Sequence, residues 1–100
     1  YSKELQSNWV LSPDKKKISE QFIFLSFEKA MKFVNNVAKI AKAEGHHPDI
    51  YIFFKKVTID LSTHAIKGLS ENDFILASKI EQLVNSCLPV GRNSSTHKLA

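Results

Sequence analysis

Cysteine occurs once, at Cys87, so the chain cannot close a disulfide on itself. On an apolar helical stripe that thiol reads as a small buried hydrophobe, and it suits a reducing compartment, the cytoplasm with the nucleus allowed. Arginine also occurs once, as Arg92 in a polar tail. Forked recognition of bases and phosphates leans on arginine, which argues against direct nucleic-acid binding. The net charge of +4 rests mostly on scattered lysines and favours solubility and loose attraction to anions. Lys15-Lys16-Lys17 reads as a solvated loop. No apolar run nears the roughly twenty residues of a membrane-spanning helix, and the opening residues lack a secretory pattern, so no membrane role is expected.

What the 100 residues do hold is 43% hydrophobic content, enough for one core and too little for two. Residues 1–89 read as a single domain and residues 90–100 as a polar, flexible tail. Trp9-Val10-Leu11 has strand character, Ser12-Pro13-Asp14 makes a turn, and Ile18, Phe22 and Phe24 share one parity with Glu20 as the exception. Two strands and a turn make a hairpin. Ser26 caps a helix in which Phe27, Ala30, Met31, Val34, Val37, Ala38 and Ala41 recur at helical spacing, and Gly45 stops it. Residues Ile50 to Phe54 are β-branched and aromatic; Val57, Ile59 and Leu61 then alternate with Thr58, Asp60 and Ser62. Lys55-Lys56 suits a tight turn or the middle of one bent strand, and two strands are favoured. Beyond Gly68, Ser70 and Asp73 resemble a capping box with a short acid. Leu76, Ala77, Ile80, Leu83, Val84, Cys87 and Leu88 then share one helical face until Pro89 and Gly91.

The order β-β-α-β-β-α predicts an α+β two-layer sandwich, a four-stranded antiparallel sheet with both main helices on one face. The strand edges of so small a sheet invite a second copy, so a homo-oligomer is expected.

Three of the four histidines, His46, His47 and His64, fall at the ends of these elements. Histidine exchanges protons near neutral pH, so the set points to proton transfer. Neighbours in an extended segment point apart, so His46 and His47 take different tasks. Three imidazoles also suggest zinc, but adjacent histidines rarely share an ion and no helical histidine pair is present; no metal is expected. No glycine-flanked serine forms a nucleophile elbow. Asp73 suits helix capping, orientation of a histidine, or both. Lys42, one turn before Gly45, suits either a solvated helix end or the pocket's edge.

The ordered set Lys42, His46-His47-Pro48, Phe54, His64 and Asp73, with Leu61-Ser62-Thr63-His64 and Gly68-Leu69-Ser70, resembles the pterin-4a-carbinolamine dehydratases. Animal members of that family also act as dimerization cofactors of a homeodomain transcription factor. The resemblance runs from about Trp9 to Leu88. It implies a fold of two hairpin-helix units assembled as dimers or tetramers, and loss of water from 4a-hydroxytetrahydropterin to give quinonoid dihydropterin, which recycles the tetrahydrobiopterin of aromatic amino acid hydroxylases. No metal or organic cofactor is implied. By position, His46, His47, His64 and Asp73 become the catalytic set, with His46 and His64 as acid-base groups and His47 as a binding residue. Lys42, Pro48, Phe54, Ser62 and Thr63 become substrate contacts. A transcription-factor partner is the alternative the family allows. Family members often carry tryptophan where this chain has Ile50 and tyrosine where it has Phe54.

Overall fold

Alternation along β2 (Ile18–Ile23) sends Ile18, Glu20 and Phe22 to one face, where all three are buried, and Phe24 extends the row. Glu20 breaks the apolar pattern of this row in the sequence, yet the two-residue period of a strand holds whatever the side chain, and Glu20 is fully buried with the others. A computed structural model describes residues 9–63, 68–87 and 89–92, without the side chains of 86, 87 and 92. The expectations for the Cys87 and Arg92 side chains, for Leu88 and for residues 93–100 lie outside the described residues.

β1 (Val10–Leu11) pairs with β2 across the loop at residues 12–17. In that loop Ser12 donates its hydroxyl to Asp14 at 2.6 Å, and this bond, then the Lys16 amide, holds the exposed Asp14 carboxyl below the usual carboxylate range. β3 (Asp49–Phe53) and β4 (Lys56–Leu61) form the second hairpin, closed by Phe54 and Lys55. The sequence shows no glycine or asparagine there; Phe54 itself takes the left-handed conformation, with φ of 55°. Antiparallel pairing of β2 with β4 joins the hairpins in the order β1-β2-β4-β3. Residues 90–92, assigned to the tail by composition, return to the sheet instead. β5 (Gly91–Arg92) pairs with the end of β2, and the Val90 amide donates to the Ile23 carbonyl at 2.6 Å. Two polar residues carry no strand signal; an open stretch of β2 edge beyond β1 supplies the pairing.

The helices α1 (Phe27–Glu44) and α2 (Glu71–Cys87) cover the face that bears Phe22, Val57, Ile59 and Leu61. The arrangement is α+β, in the order β-β-α-β-β-α. The Ser26 hydroxyl accepts the Lys29 amide at 3.1 Å and caps α1. Ser26→Ala is expected to cost about 1 kcal/mol, read as a lower urea midpoint at unchanged slope.

The buried stripe of α1 is rotated from the one its periodicity suggests. Ala30, Phe33, Val37 and Ala41 are buried, whereas Phe27 is 44% exposed and Ala38 faces outward. Helix α1 is apolar on two adjoining faces, each bearing one phenylalanine, and the face of Phe33 is the one turned to the core. Phe33 lies 4.8 Å from Phe22 and 5.0 Å from Phe24, centroid to centroid, and fills the middle of the core. On α2 the expected stripe is the buried one at Leu76, Ala77, Ile80 and Val84. The Trp9 indole donates to Glu81 at 3.1 Å and ties the first strand to this helix.

Candidate active site

The chain leaves α1 through Gly45, whose φ of 66° is left-handed. The Gly45 amide reaches the Ala41 and Lys42 carbonyls, and the His46 amide reaches the Ala41 carbonyl at 3.1 Å. These bonds satisfy carbonyls the helix end would leave open and fix the direction in which His46 departs. A Cβ at Gly45 meets nothing within 4 Å, so Gly45→Ala is expected to cost about 1–2 kcal/mol through backbone conformation alone. Thermal unfolding checks it.

Asp73 arrives from the first turn of α2 and is fully buried. Its Oδ1 lies 2.5 Å from His46 Nε2, and its Oδ2 accepts the Thr63 hydroxyl at 2.8 Å and the Ser70 amide at 2.9 Å. Since a carboxylate only accepts, these partners set the proton positions. His46 donates from Nε2, which leaves Nδ1 as its basic nitrogen when the ring is neutral. Thr63 spends its hydroxyl proton on Asp73, so the Ser70 hydroxyl, 2.6 Å away, donates to Thr63. Half of the capping box is therefore present: the acid takes the Ser70 amide, while the Ser70 hydroxyl turns to Thr63. Asp73 both caps α2 and holds His46.

Thr63 follows β4 and is pinned by pairing with Gly68, with amide-to-carbonyl distances of 2.6 and 3.3 Å. His64, between them in sequence, lies outside the described residues. His46 keeps 14% of its side chain exposed, His47 is exposed, and Pro48 and Ser62 are half-buried. Lys42 is exposed on the last turn of α1. Phe54 is not brought to this cluster within one chain. It sits at the far end of β3 from His47-Pro48, about 15–20 Å away at 3.3 Å per residue, and is 69% exposed.

Sequence reasoning misses the contact between Glu44 and Lys79, 2.5 Å apart, which joins the last residue of α1 to α2 beside the His46–Asp73 pair. An acid and a base on the exposed faces of separate helices give no sequence signal. Among the described residues no three His, Cys, Asp or Glu side chains gather as metal ligands would.

A sequence profile of the family described as pterin 4 alpha carbinolamine dehydratase matches residues 1–83. This chain belongs to that family. A Halorhodospira halophila protein that bears the dehydratase name provisionally is 45% identical over 75 residues, 75% of this chain and 69% of its own. A Nitrosomonas eutropha protein of the same provisional name is 42% identical over 84 residues, 84% of this chain and 73% of its own. Among solved structures, a transcriptional coactivator/pterin dehydratase from Brucella melitensis superposes with a TM-score of 0.74 at 26% identity, covering 81% of this chain and 89% of that one. A pterin dehydratase-like protein described as a RuBisCO assembly factor of the alpha-carboxysome has a TM-score of 0.66 at 20% identity, over 79% of this chain and 92% of that one. The second likeness is one of fold alone. Against this family background the His46–Asp73–Thr63–Ser70 cluster joins the helix exit, the end of β4 and the start of α2 in one place.

Proposed function

We propose that this chain is a dehydratase that removes water from 4a-hydroxytetrahydropterin and serves the recycling of tetrahydrobiopterin. In that reaction the carbon–oxygen bond at C4a breaks, the hydroxyl leaves as water on gaining one proton, and the neighbouring ring nitrogen gives up one proton as the carbon–nitrogen double bond forms. One acid and one base suffice. His46 Nδ1 takes the nitrogen's proton, the ring becomes an imidazolium, and the buried Asp73 carboxylate offsets its charge. His64 supplies the acid, His47 binds the substrate, and Lys42, Pro48, Ser62 and Thr63 edge the pocket, with Thr63 acting through Asp73.

The observation that carries this reading is the 2.5 Å contact between His46 Nε2 and a fully buried carboxylate with two other donors on it. Three donors on one aspartate hold an imidazole in a chosen tautomer, as an acid-base site requires and a surface histidine does not. The family match supplies the substrate class. No helix among the described residues is long and apolar enough to cross a membrane, and we place the protein in the cytoplasm as a homo-oligomer.

The test is turnover of freshly generated 4a-hydroxytetrahydropterin, followed by absorbance against the uncatalysed rate. Acceleration by the wild-type chain, unchanged by a chelator, is the expected result. A folded but inactive wild type overturns the dehydratase reading. It would favour the second reading, an interaction module, for which exposed Ile75, Lys79 and Gln82 on the outer side of α2 offer a surface. The Brucella melitensis relative, described as both coactivator and dehydratase, gives that reading its support.

A further inference from the structure

Glu44 stands at the unfavourable end of its helix. It is the last residue of α1, where the outward carbonyls carry partial negative charge, so an acid there is disfavoured on its own. Its companion is Lys79 of α2, whose ammonium lies 2.5 Å from the Glu44 carboxylate. Neither side chain is buried: Lys79 is 46% exposed and Glu44 28%. An ion pair in such a setting adds little to the fold, because water screens it and two long side chains must be ordered to hold it.

Its place in the chain gives it another task. Glu44 precedes His46 by two residues, and Lys79 follows Asp73 by six. The Glu44–Lys79 and His46–Asp73 pairs therefore link the same two segments, the exit of α1 and the first half of α2, at points about 9 Å apart along α2. Two residues of chain keep the Cα atoms of Glu44 and His46 within about 7 Å of each other. The remaining charges come from each element that meets at His46. Lys42 lies one turn back on α1 and is exposed, Glu71 and Asp73 open α2, and Asp49 begins β3 opposite Asp60. His47 is the neighbouring imidazole, and the end of β4 brings the neutral hydroxyls of Ser62 and Thr63. Asp73 is held by three donors already. Glu44 and Lys79 are joined to each other across the helices, so removing one leaves the other uncompensated beside His46.

We propose that Glu44 and Lys79 are positioning residues of the acid-base site: together they balance the charge that His46 feels, and each alone biases the imidazole in the sense opposite to the other. The effect on the rate rests on the dehydratase reading; the effect on the imidazole does not. A lone Glu44 carboxylate favours the imidazolium, whereas a lone Lys79 ammonium disfavours it. At a charge separation of about 8–10 Å in a partly hydrated site, either bias is worth about half a pH unit.

The test is the pH dependence of kcat/KM at low ionic strength, which reports the ionisations of the free enzyme. Lys79→Met is expected to move the acid limb, where the base takes up its proton, about half a unit towards higher pH, and Glu44→Gln about as far towards lower pH. The double variant, with neither charge, returns to the wild-type profile, as does Lys79→Arg, which keeps the cation. At about 1 M salt, where the Debye length falls to about 3 Å, the single variants approach the wild type. A pair that matters only to packing gives another pattern: both single variants lower the urea midpoint and the rate at every pH, and neither moves the limb. That pattern, or limbs that move the same way, overturns the proposal. Proton NMR titration of the His46 ring, assigned by the loss of its signals in His46→Ala, follows the same opposed displacements without turnover. Should the wild type be folded and inactive, the dehydratase reading fails by itself and this titration decides. Displacements of opposite sign then uphold the charge balance, and a ring that titrates alike in wild type, Lys79→Met and Glu44→Gln refutes it.

Discussion

His46→Ala is expected to lower kcat by about 10²–10⁴-fold, the usual contribution of one positioned acid-base group, with a smaller change in KM. The geometry makes the variant informative. His46 leaves α1 on a backbone already fixed by the Ala41 and Lys42 carbonyls, so its removal does not free the chain, and Asp73 keeps the Thr63 hydroxyl and the Ser70 amide. The fold should therefore survive, and circular dichroism and the urea midpoint check that it does. Added imidazole, small enough to enter the vacated space, is expected to restore part of the rate in a dose-dependent way. A variant that keeps its rate, or one that loses KM and kcat together with its near-ultraviolet signal, would show that His46 packs rather than reacts.

Much of this arrangement was legible in the sequence wherever period and chemistry agreed. The alternation of β4 is clean because Val57, Ile59 and Leu61 face helices while Thr58 and Asp60 face away, and Ser26 and Gly45 bound α1 as their chemistry predicts. Legibility failed where one of the two was silent. Glu20 keeps the strand period against its chemistry, and β5 pairs with almost no side-chain signal at all. In α1 both faces are apolar, so the period fixes a helix without fixing its rotation. The buried row is turned roughly 60° from the expected one because Phe33 demands the space between Phe22 and Phe24. The site divides along the same line. Asp73 could be read as a cap from its spacing after Ser70, but that its other oxygen meets His46 depends on how α1 and α2 pack, which local spacing does not encode. Thr63, expected as a substrate contact, faces the same carboxylate for the same reason.

Asp73 is the residue on which fold and chemistry meet, and two substitutions separate its tasks. Asp73→Ala strips three donors of their buried acceptor at once, His46 Nε2, the Thr63 hydroxyl and the Ser70 amide, and opens the start of α2. Breaking a buried pair of this kind costs about 3–5 kcal/mol, a large share of what a small domain has. A strongly lowered urea midpoint is the expected result, with activity lost along with the fold. Asp73→Asn keeps the shape. Its carbonyl can still accept from Thr63 and Ser70, and only then does its amide group face His46. Two donors cannot face one another, so the imidazole must surrender the Nε2 proton and carry it on Nδ1, the nitrogen assigned to take the substrate's proton. Stability should fall by about 1 kcal/mol while kcat falls about 10²-fold or more, because the base is present in the wrong tautomer. The split between the two variants is the prediction. If the asparagine variant turns over like the wild type, Asp73 is a helix cap that happens to touch a histidine, and nitrogen-15 shifts of the His46 ring in that variant would show whether the proton moved.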